Sequence, residues 1–333
     1  MSKENLDLVG IGNAIVDVLS KTGDDFLRAN RINKGTMTLI EADQAEALYA
    51  KMGPGLEVSG GSAANTVAAF ANMTGKAGYI GKVANDQLGT VFRHDIQAIG
   101  VSFDTPALQD GPPTARCLIL ITPDAQRTMC TFLGAANQLT PADVSPAIVE
   151  QAHILYLEGY LFDPPEARRA FAKAAGLARS AGRLISITLS DGFVVGRHRQ
   201  ALLEFIETQV DLLFANESEI TALFQVSEFD EAVIALKGLV PMAAVTRSEQ
   251  GSVALAGDEI HVIPAAPVEK VVDTTGAGDQ YAAGFLFGLA RGRSLDVCGR
   301  LGSLAAAEVI SHYGPRPQAS LRDLAAAAGL QGA

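Results

Sequence analysis

No tryptophan occurs in this chain, and cysteine is confined to Cys117, Cys130 and Cys298. Three widely separated thiols cannot build a disulfide framework and lack the paired spacing of a zinc site, so the expected compartment is a reducing cytoplasm. Histidine is equally sparse: His94, His153, His198, His261 and His312 stand at no metal-ligand spacing. Positive charge is in deficit, with 26 Lys and Arg against 37 Asp and Glu and a formal net charge of −11. That balance offers no footprint for a nucleic-acid backbone or an anionic membrane, and any anionic ligand must be held by local groups. Long apolar runs are missing too, since no stretch approaches the roughly 20 residues of a spanning helix. MSKENLDLVGIGNAIVD has neither the basic start nor the apolar centre of a secretion signal, so a soluble protein is expected. A Walker A pattern is also absent, which argues against P-loop chemistry.

What remains is a chain of 333 residues, 48% hydrophobic and 19% charged, long enough to bury a large core. Short β-branched runs alternate with longer Ala- and Leu-rich segments, the order of a mostly parallel sheet covered by helices. The predicted core strands are LDLVGIG (6–12), AGYIGKVA (77–84), ILYLEGY (154–160), LISITLS (184–190), LLFAN (212–216) and AAVTRS (243–248). Three segments break the alternation: GTMTLIEAD (35–43), and ARCLILIT and RTMCTFL around a Pro-Asp turn, which predict a small separate sheet. GSVALAGDEIHVIPA (251–265) predicts a hairpin turning at Gly257-Asp258 on the edge of the main sheet.

Chemistry concentrates in VVDTTGAGDQYAAGFLFGLARG, residues 271–292. VEKVVD predicts a short strand, and the residues after Gly278 carry apolar side chains at helical intervals, so Gly276, Ala277 and Gly278 fall where a helix begins. Open amides and the positive end of the macrodipole favour an anion there, and bare glycine backbone lets a phosphate approach. Asp279 would repel that phosphate unless it faces the other reactant, a hydroxyl that loses its proton as its oxygen attacks phosphorus. Glycine-rich turns are common, and the motif by itself is equally an acidic first helical turn. A second segment, SGGSAANTVAAFANMTGKAGYIGKVANDQLG, places Gly60, Gly61, Ser62 and Asn65 at another helix start, a combination suited to a polyol. In GIGNAIVD, Asn13 and Asp17 follow the first strand, and a carboxylate there can accept two hydrogen bonds from a cis-diol or serve as a turn cap. The dinucleotide fingerprint fails because Ile15 stands at its third glycine.

Together these segments resemble the ribokinase family, also called the PfkB carbohydrate kinases, with SGGSAANTVAAFANMTGKAGYIGKVANDQLG and DTTGAGDQYAAGFL similar to its two signatures. The resemblance implies a three-layer α/β/α core from about 1–12, 57–100 and 134–333 and a β-sheet lid from about 13–56 and 101–133. It implies ATP with Mg²⁺, Asp279 as base, and the amides of Gly276, Ala277 and Gly278 as anion hole. Asn216 and Glu219, in NESE, match the element that organises Mg²⁺ through water, although that pattern is also a helix cap. Thr246, Gly251 and Thr274 match nucleotide contacts, with Ser248 where the family often has glycine. Asp273 and the backbone of Thr275 match positions at which many members hold a monovalent cation such as potassium. GNAIVD, RTMCTFLGAAN and EGYLF resemble the adenosine kinase branch, which makes Met37, Phe132, Leu133, Tyr160 and Leu161 candidates for an apolar clamp on a purine. Arg127 either adds positive charge when the lid shuts or stays solvated. Adenosine is the expected acceptor, through its 5′-hydroxyl, with a PfkB-type sugar kinase and a non-catalytic nucleotide sensor as alternatives. The lid strands either pair two copies into a homodimer or remain the edges of a monomer.

Overall fold

Apolar alternation decides the architecture. The computed structural model describes residues 5–124 and 126–330. Among them thirteen strands form: β1 Leu6–Ile11, β2 Ile15–Lys21, β3 Met37–Leu39, β4 Gly55–Gly60, β5 Ala77–Ile80, β6 Ala115–Ile121, β7 Arg127–Phe132, β8 Ala152–Glu158, β9 Leu184–Thr188, β10 Leu212–Asn216, β11 Met242–Thr246, β12 Ser252–Ala256 and β13 Glu259–Ile263. Eight of them make one sheet in the order β13-β12-β11-β10-β9-β8-β1-β5. It is parallel from β5 through β11, and the predicted hairpin adds β12 and β13 antiparallel at one edge.

Neighbouring residues of each central strand enter opposite cores, as strand geometry requires of a sheet covered on both sides. In β8, Leu155 and Leu157 join one cluster while Ile154 and Tyr156 join the other. The first cluster is closed by apolar faces of the helices Pro165–Ser180, Gly192–Gln209, Glu217–Phe224 and Phe229–Leu239. The helices Ser62–Asn72, Gln87–Ala98, Ala277–Ala290 and Leu295–Val309 close the second. The result is a three-layer α/β/α fold. No described helix is long and apolar enough to cross a membrane.

The smaller sheet has the order β3-β7-β6-β2-β4 and its own core around Val18, Leu48, Leu118 and Cys130. Besides the three segments read as its strands it contains β2, which lies inside the expected lid range 13–56, and β4, which starts inside that range and runs past its end. Both lie at crossings between the sheets: β1 reaches β2 through residues 12–14, and β4 runs straight into the helix that starts at Ser62. The crossings touch, with Ile15 opposite Gly60. Gly61 has φ +95°, and a Cβ on it would lie 2.1 Å from the Asn13 carbonyl oxygen, so only glycine fits the joint.

One predicted strand is absent. VEKVVD lies in residues 264–276, which carry no regular secondary structure. Its amides find other partners, since Val272 N–H and Asp273 N–H both donate to the Ile310 carbonyl, at 2.8 and 3.3 Å. These amides are committed to the end of a helix and not to a neighbouring strand, so β-branched composition alone does not make a strand here.

Candidate active site

Parallel register brings the ends of the central strands level. Glu158 is opposite Thr188, and Asn216 opposite Thr246. All four line a cavity of about 450 Å³ at the carboxyl ends of the strands, where open α/β sheets characteristically bind ligands. The small sheet roofs it.

The turn Gly276–Gly278 and Asp279 form one wall of that cavity. Gly276 has φ +80°, and a Cβ there would come within 2.8 Å of the Pro315 carbonyl oxygen. Ala277 N–H donates to the Thr274 carbonyl (3.2 Å) and Gln280 N–H to that of Gly276 (2.8 Å). The amides of Gly278 and Asp279 belong to the first helical turn and have no earlier turn to bond. Asp279 Oδ1 accepts from Ser62 Oγ at 2.6 Å and Oδ2 from Asn65 Nδ2 at 3.0 Å. Burial lifts this carboxyl to about 6 against the pull of those two donors. A carboxylate offers about four lone-pair sites, so two donors leave room for an incoming hydroxyl.

Opposite stands Asp17 on β2, only 7% exposed, with no hydrogen bond to its carboxylate among the described residues. A Cβ on Gly60 would strike that carboxylate at 2.3 Å, so this glycine gives Asp17 its space from behind and does not line the cavity. Burial raises Asp17 to about 7, with Arg316 and Arg127 opposing the rise and Asp279 adding to it. Asn13 Nδ2 donates to Glu158 Oε1 (2.8 Å), and Asn13 Oδ1 is buried without a partner among the described residues. Glu158 escaped the sequence reading. Its Oε2 accepts Ala63 N–H at 2.8 Å, so it caps the Ser62 helix, and burial raises it to about 7.

The lid contributes side chains of one strand face. Ile15 and Asp17 on β2, Cys117 and Ile119 on β6, and Met129 and Thr131 on β7 line the cavity with Met37, Leu39 and Leu133. Phe132 does not, which corrects its place in the predicted clamp. It alternates with Thr131 and is buried behind the wall. Tyr160 does line the cavity, whereas Leu161 is buried in the core. Gly251 lies outside the cavity and closes a turn, its carbonyl accepting Arg247 N–H at 2.7 Å.

Metal-binding candidates take two forms. Asn216 and Glu219 make a reciprocal helix cap: Asn216 Oδ1 accepts Glu219 N–H (2.9 Å), and Glu219 returns to Asn216 N–H and Nδ2 (3.0 and 2.8 Å). Burial, then the Asp191 charge, raises Glu219 to about 7. Two repelling carboxylates beside an amide suit a hydrated divalent cation, although no cluster of three metal-ligating side chains occurs among the described residues. Asp191 was not anticipated by the sequence. The Asp273 carboxylate is differently engaged. Arg127 Nη2 lies 2.5 Å from Oδ2, Thr275 N–H donates to Oδ1 (3.1 Å) and Gly314 N–H to Oδ2 (3.0 Å), while Arg127 Nη1 reaches Thr275 Oγ1 (3.3 Å). With the lid in this position the guanidinium neutralises Asp273, and a potassium ion does not fit against that carboxylate.

Asp17, Glu158, Glu219 and Asp279 thus all hold protons more tightly folded than unfolded. Their stabilisation is fully present below the ordinary carboxylate range and is lost as pH rises through about 6 to about 7. The ligand-free protein is therefore expected to melt higher at about pH 6 than at about pH 8. Asp17→Asn should flatten that slope and raise the melting temperature at the alkaline end, since no hydrogen bond is sacrificed. Calorimetric scans across this range check it, and an unchanged slope in the variant would remove Asp17 as a contributor.

Residues 39–321 match the model of the pfkB family carbohydrate kinases. The chain is similar to an adenosine kinase from Saccharomyces cerevisiae, 27% identical over 92% of this chain and 96% of the relative. Among solved structures, an adenosine kinase from Sinorhizobium meliloti is 50% identical with a TM-score of 0.92, covering 98% of this chain and 100% of that one. A probable sugar kinase from Rhizobium etli is 49% identical with a TM-score of 0.93 over the same shares.

Proposed function

The chain belongs to the pfkB carbohydrate kinase family and is a phosphotransferase with an alcohol acceptor, and from that premise we propose that it transfers the γ-phosphoryl group of ATP to the 5′-hydroxyl of a purine ribonucleoside, adenosine foremost. One observation carries the choice of acceptor. Two buried acceptors without partners among the described residues, the Asp17 carboxylate and Asn13 Oδ1, lie next to an apolar lid wall. Vicinal hydroxyls supply the two donors that such acceptors lack, and a flat purine covers the wall. A free pentose would satisfy the first and leave Met37, Leu39, Cys117, Ile119 and Met129 facing water. The name of the Rhizobium etli relative keeps a sugar as the second reading.

In the mechanism, Asp279 takes the proton of the attacking hydroxyl, and the open amides of the Gly276 turn, with the dipole of their helix, face the charge growing on the transferring group. Asn13 and Asp17 orient the ribose so that its 5′-oxygen points at Asp279. Mg²⁺ would enter with the ATP phosphates, held through water by Asn216 and Glu219 beside Asp191, and would neutralise phosphate charge when bound. Arg127 bridges β7 to Asp273 and helps the lid exclude water, the competing acceptor.

Release of ADP from ATP and Mg²⁺ tests the reading against adenosine, inosine, guanosine, ribose and fructose. Adenosine is expected to give a kcat/KM at least about 10²-fold above ribose, the worth of losing the apolar half of the acceptor. A higher value for either free sugar would overturn the nucleoside assignment in favour of the sugar kinase.

A further inference from the structure

Arg316 lies in the irregular segment between the helices Leu295–Val309 and Leu321–Ala327. That segment is held at several points by the residues flanking the anion turn and by the helix Leu295–Val309. Gly314 N–H donates to Asp273 Oδ2 (3.0 Å), the fully buried Gln280 donates Nε2 to the Pro315 carbonyl (2.8 Å), and Glu308 Oε1 accepts Gln318 N–H (2.9 Å) and Ala319 N–H (2.8 Å). The guanidinium is thereby delivered to the catalytic helix pair. Its Nε donates to Asn65 Oδ1 at 3.4 Å, and Asn65 Nδ2 donates to Asp279 Oδ2 at 3.0 Å. Arg316 does not line the cavity, and its Nη2 is buried with no hydrogen-bond partner among the described residues.

Donor chemistry gives this chain a direction. A guanidinium has no acceptor, so the amide beside it must present oxygen to the arginine and NH₂ to Asp279. An NH₂ can donate to an ionised carboxylate but cannot accept from a protonated one. Without the arginine the amide is free to turn over, and its oxygen would then accept the proton of a neutral Asp279. We propose that Arg316 is a positioning residue that locks the Asn65 amide with its NH₂ towards Asp279 and so keeps the base ionised. The proposal rests on the reading of Asp279 as the base. Among the described residues, the charges that act on Asp279 are those of Asp17 on β2 and of Glu158, Tyr156 and Tyr160 on and after β8, all acidic, while the nearby cation Arg127 on β7 is engaged by Asp273 and Asp17, so none of them does this work.

The test needs no turnover. In ligand-free protein carrying ¹³Cγ-labelled aspartate, with Asp279→Asn assigning the resonance, the Asp279 titration is followed in wild type, Arg316→Met and Arg316→Lys. Arg316→Met is expected to raise the apparent pKa by about one unit, the scale of one charge-assisted hydrogen bond, and Arg316→Lys, still donor-only, to restore most of it. The same Arg316→Met change made in an Asn65→Ala background is expected to shift Asp279 little, because the amide that transmits it is gone. An unmoved titration in Arg316→Met, or a shift of equal size without Asn65, would overturn the proposal. A chain inert towards every alcohol would instead overturn the kinase reading, with the titration still readable.

Discussion

Asp279→Asn is expected to lower kcat by roughly 10²- to 10⁴-fold, the range for loss of a positioned base, while ATP affinity and the melting temperature stay near wild type. The side chain keeps its size, and its amide can turn its oxygen to Asn65 Nδ2 and its NH₂ to Ser62 Oγ, a hydroxyl that accepts as well as donates. The lost property is the ability to take a proton. The anion turn is untouched, because Gly276 and the first-turn amides are set by backbone geometry and by Pro315. Residual turnover would come from positioning and from the amide dipoles. In wild type the base is raised to about 6, so kcat/KM should climb with pH through that region and level above it. The limb should vanish from the slow residual reaction of the variant. Steady-state ADP release and calorimetric ATP titration measure both halves, and a variant within about tenfold of wild type would take Asp279 out of the base role.

The parts of the site that the sequence disclosed are those whose chemistry is local. Asp279 and Gly276 announce a helix start because glycine opens the turn and an acid favours the first helical turn, and Asn13 and Asp17 stand out as polar residues inside an apolar run. Glu158 carried no such mark, being one carboxylate at the end of a strand, and its meaning depends on Ala63 and Asn13, distant in sequence, converging on it. Arg316 is a stronger case. Its partner Asn65 is 251 residues away, so no short motif could join them. Alternation along RTMCTF could have given Met129 and Thr131 in place of Phe132, since one strand face holds every other residue. VEKVVD shows the reverse limit, because β-branched composition makes a strand only where its backbone pairs with another strand, and here Val272 and Asp273 pair with Ile310 at a helix end.

Asp17→Asn is expected to raise KM for the ribonucleoside by roughly 10²-fold with kcat changed only a few-fold, because hydrogen bonds to a charged partner are each worth about 1.5–3 kcal/mol and these are made equally in ground and transition states. The buried carboxylate lacks a hydrogen-bonding partner, and Arg316 and Arg127 hold part of its charge in place. An amide in its position offers one acceptor where the carboxylate offers two oxygens, and turns an NH₂ towards one of the diol hydroxyls. The 2′-deoxynucleoside tests the assignment from the ligand side. With wild type it should suffer a comparable loss, since removing the hydroxyl leaves the carboxylate half-satisfied in a buried site. With Asp17→Asn the penalty for the missing hydroxyl should shrink towards none, the non-additivity that marks a direct contact. Losses that multiply would place the diol elsewhere in the cavity, and the nucleoside assignment would lose the observation on which it stands. The same substitution is expected to stabilise the ligand-free protein at alkaline pH, so a folding defect cannot account for the weaker binding.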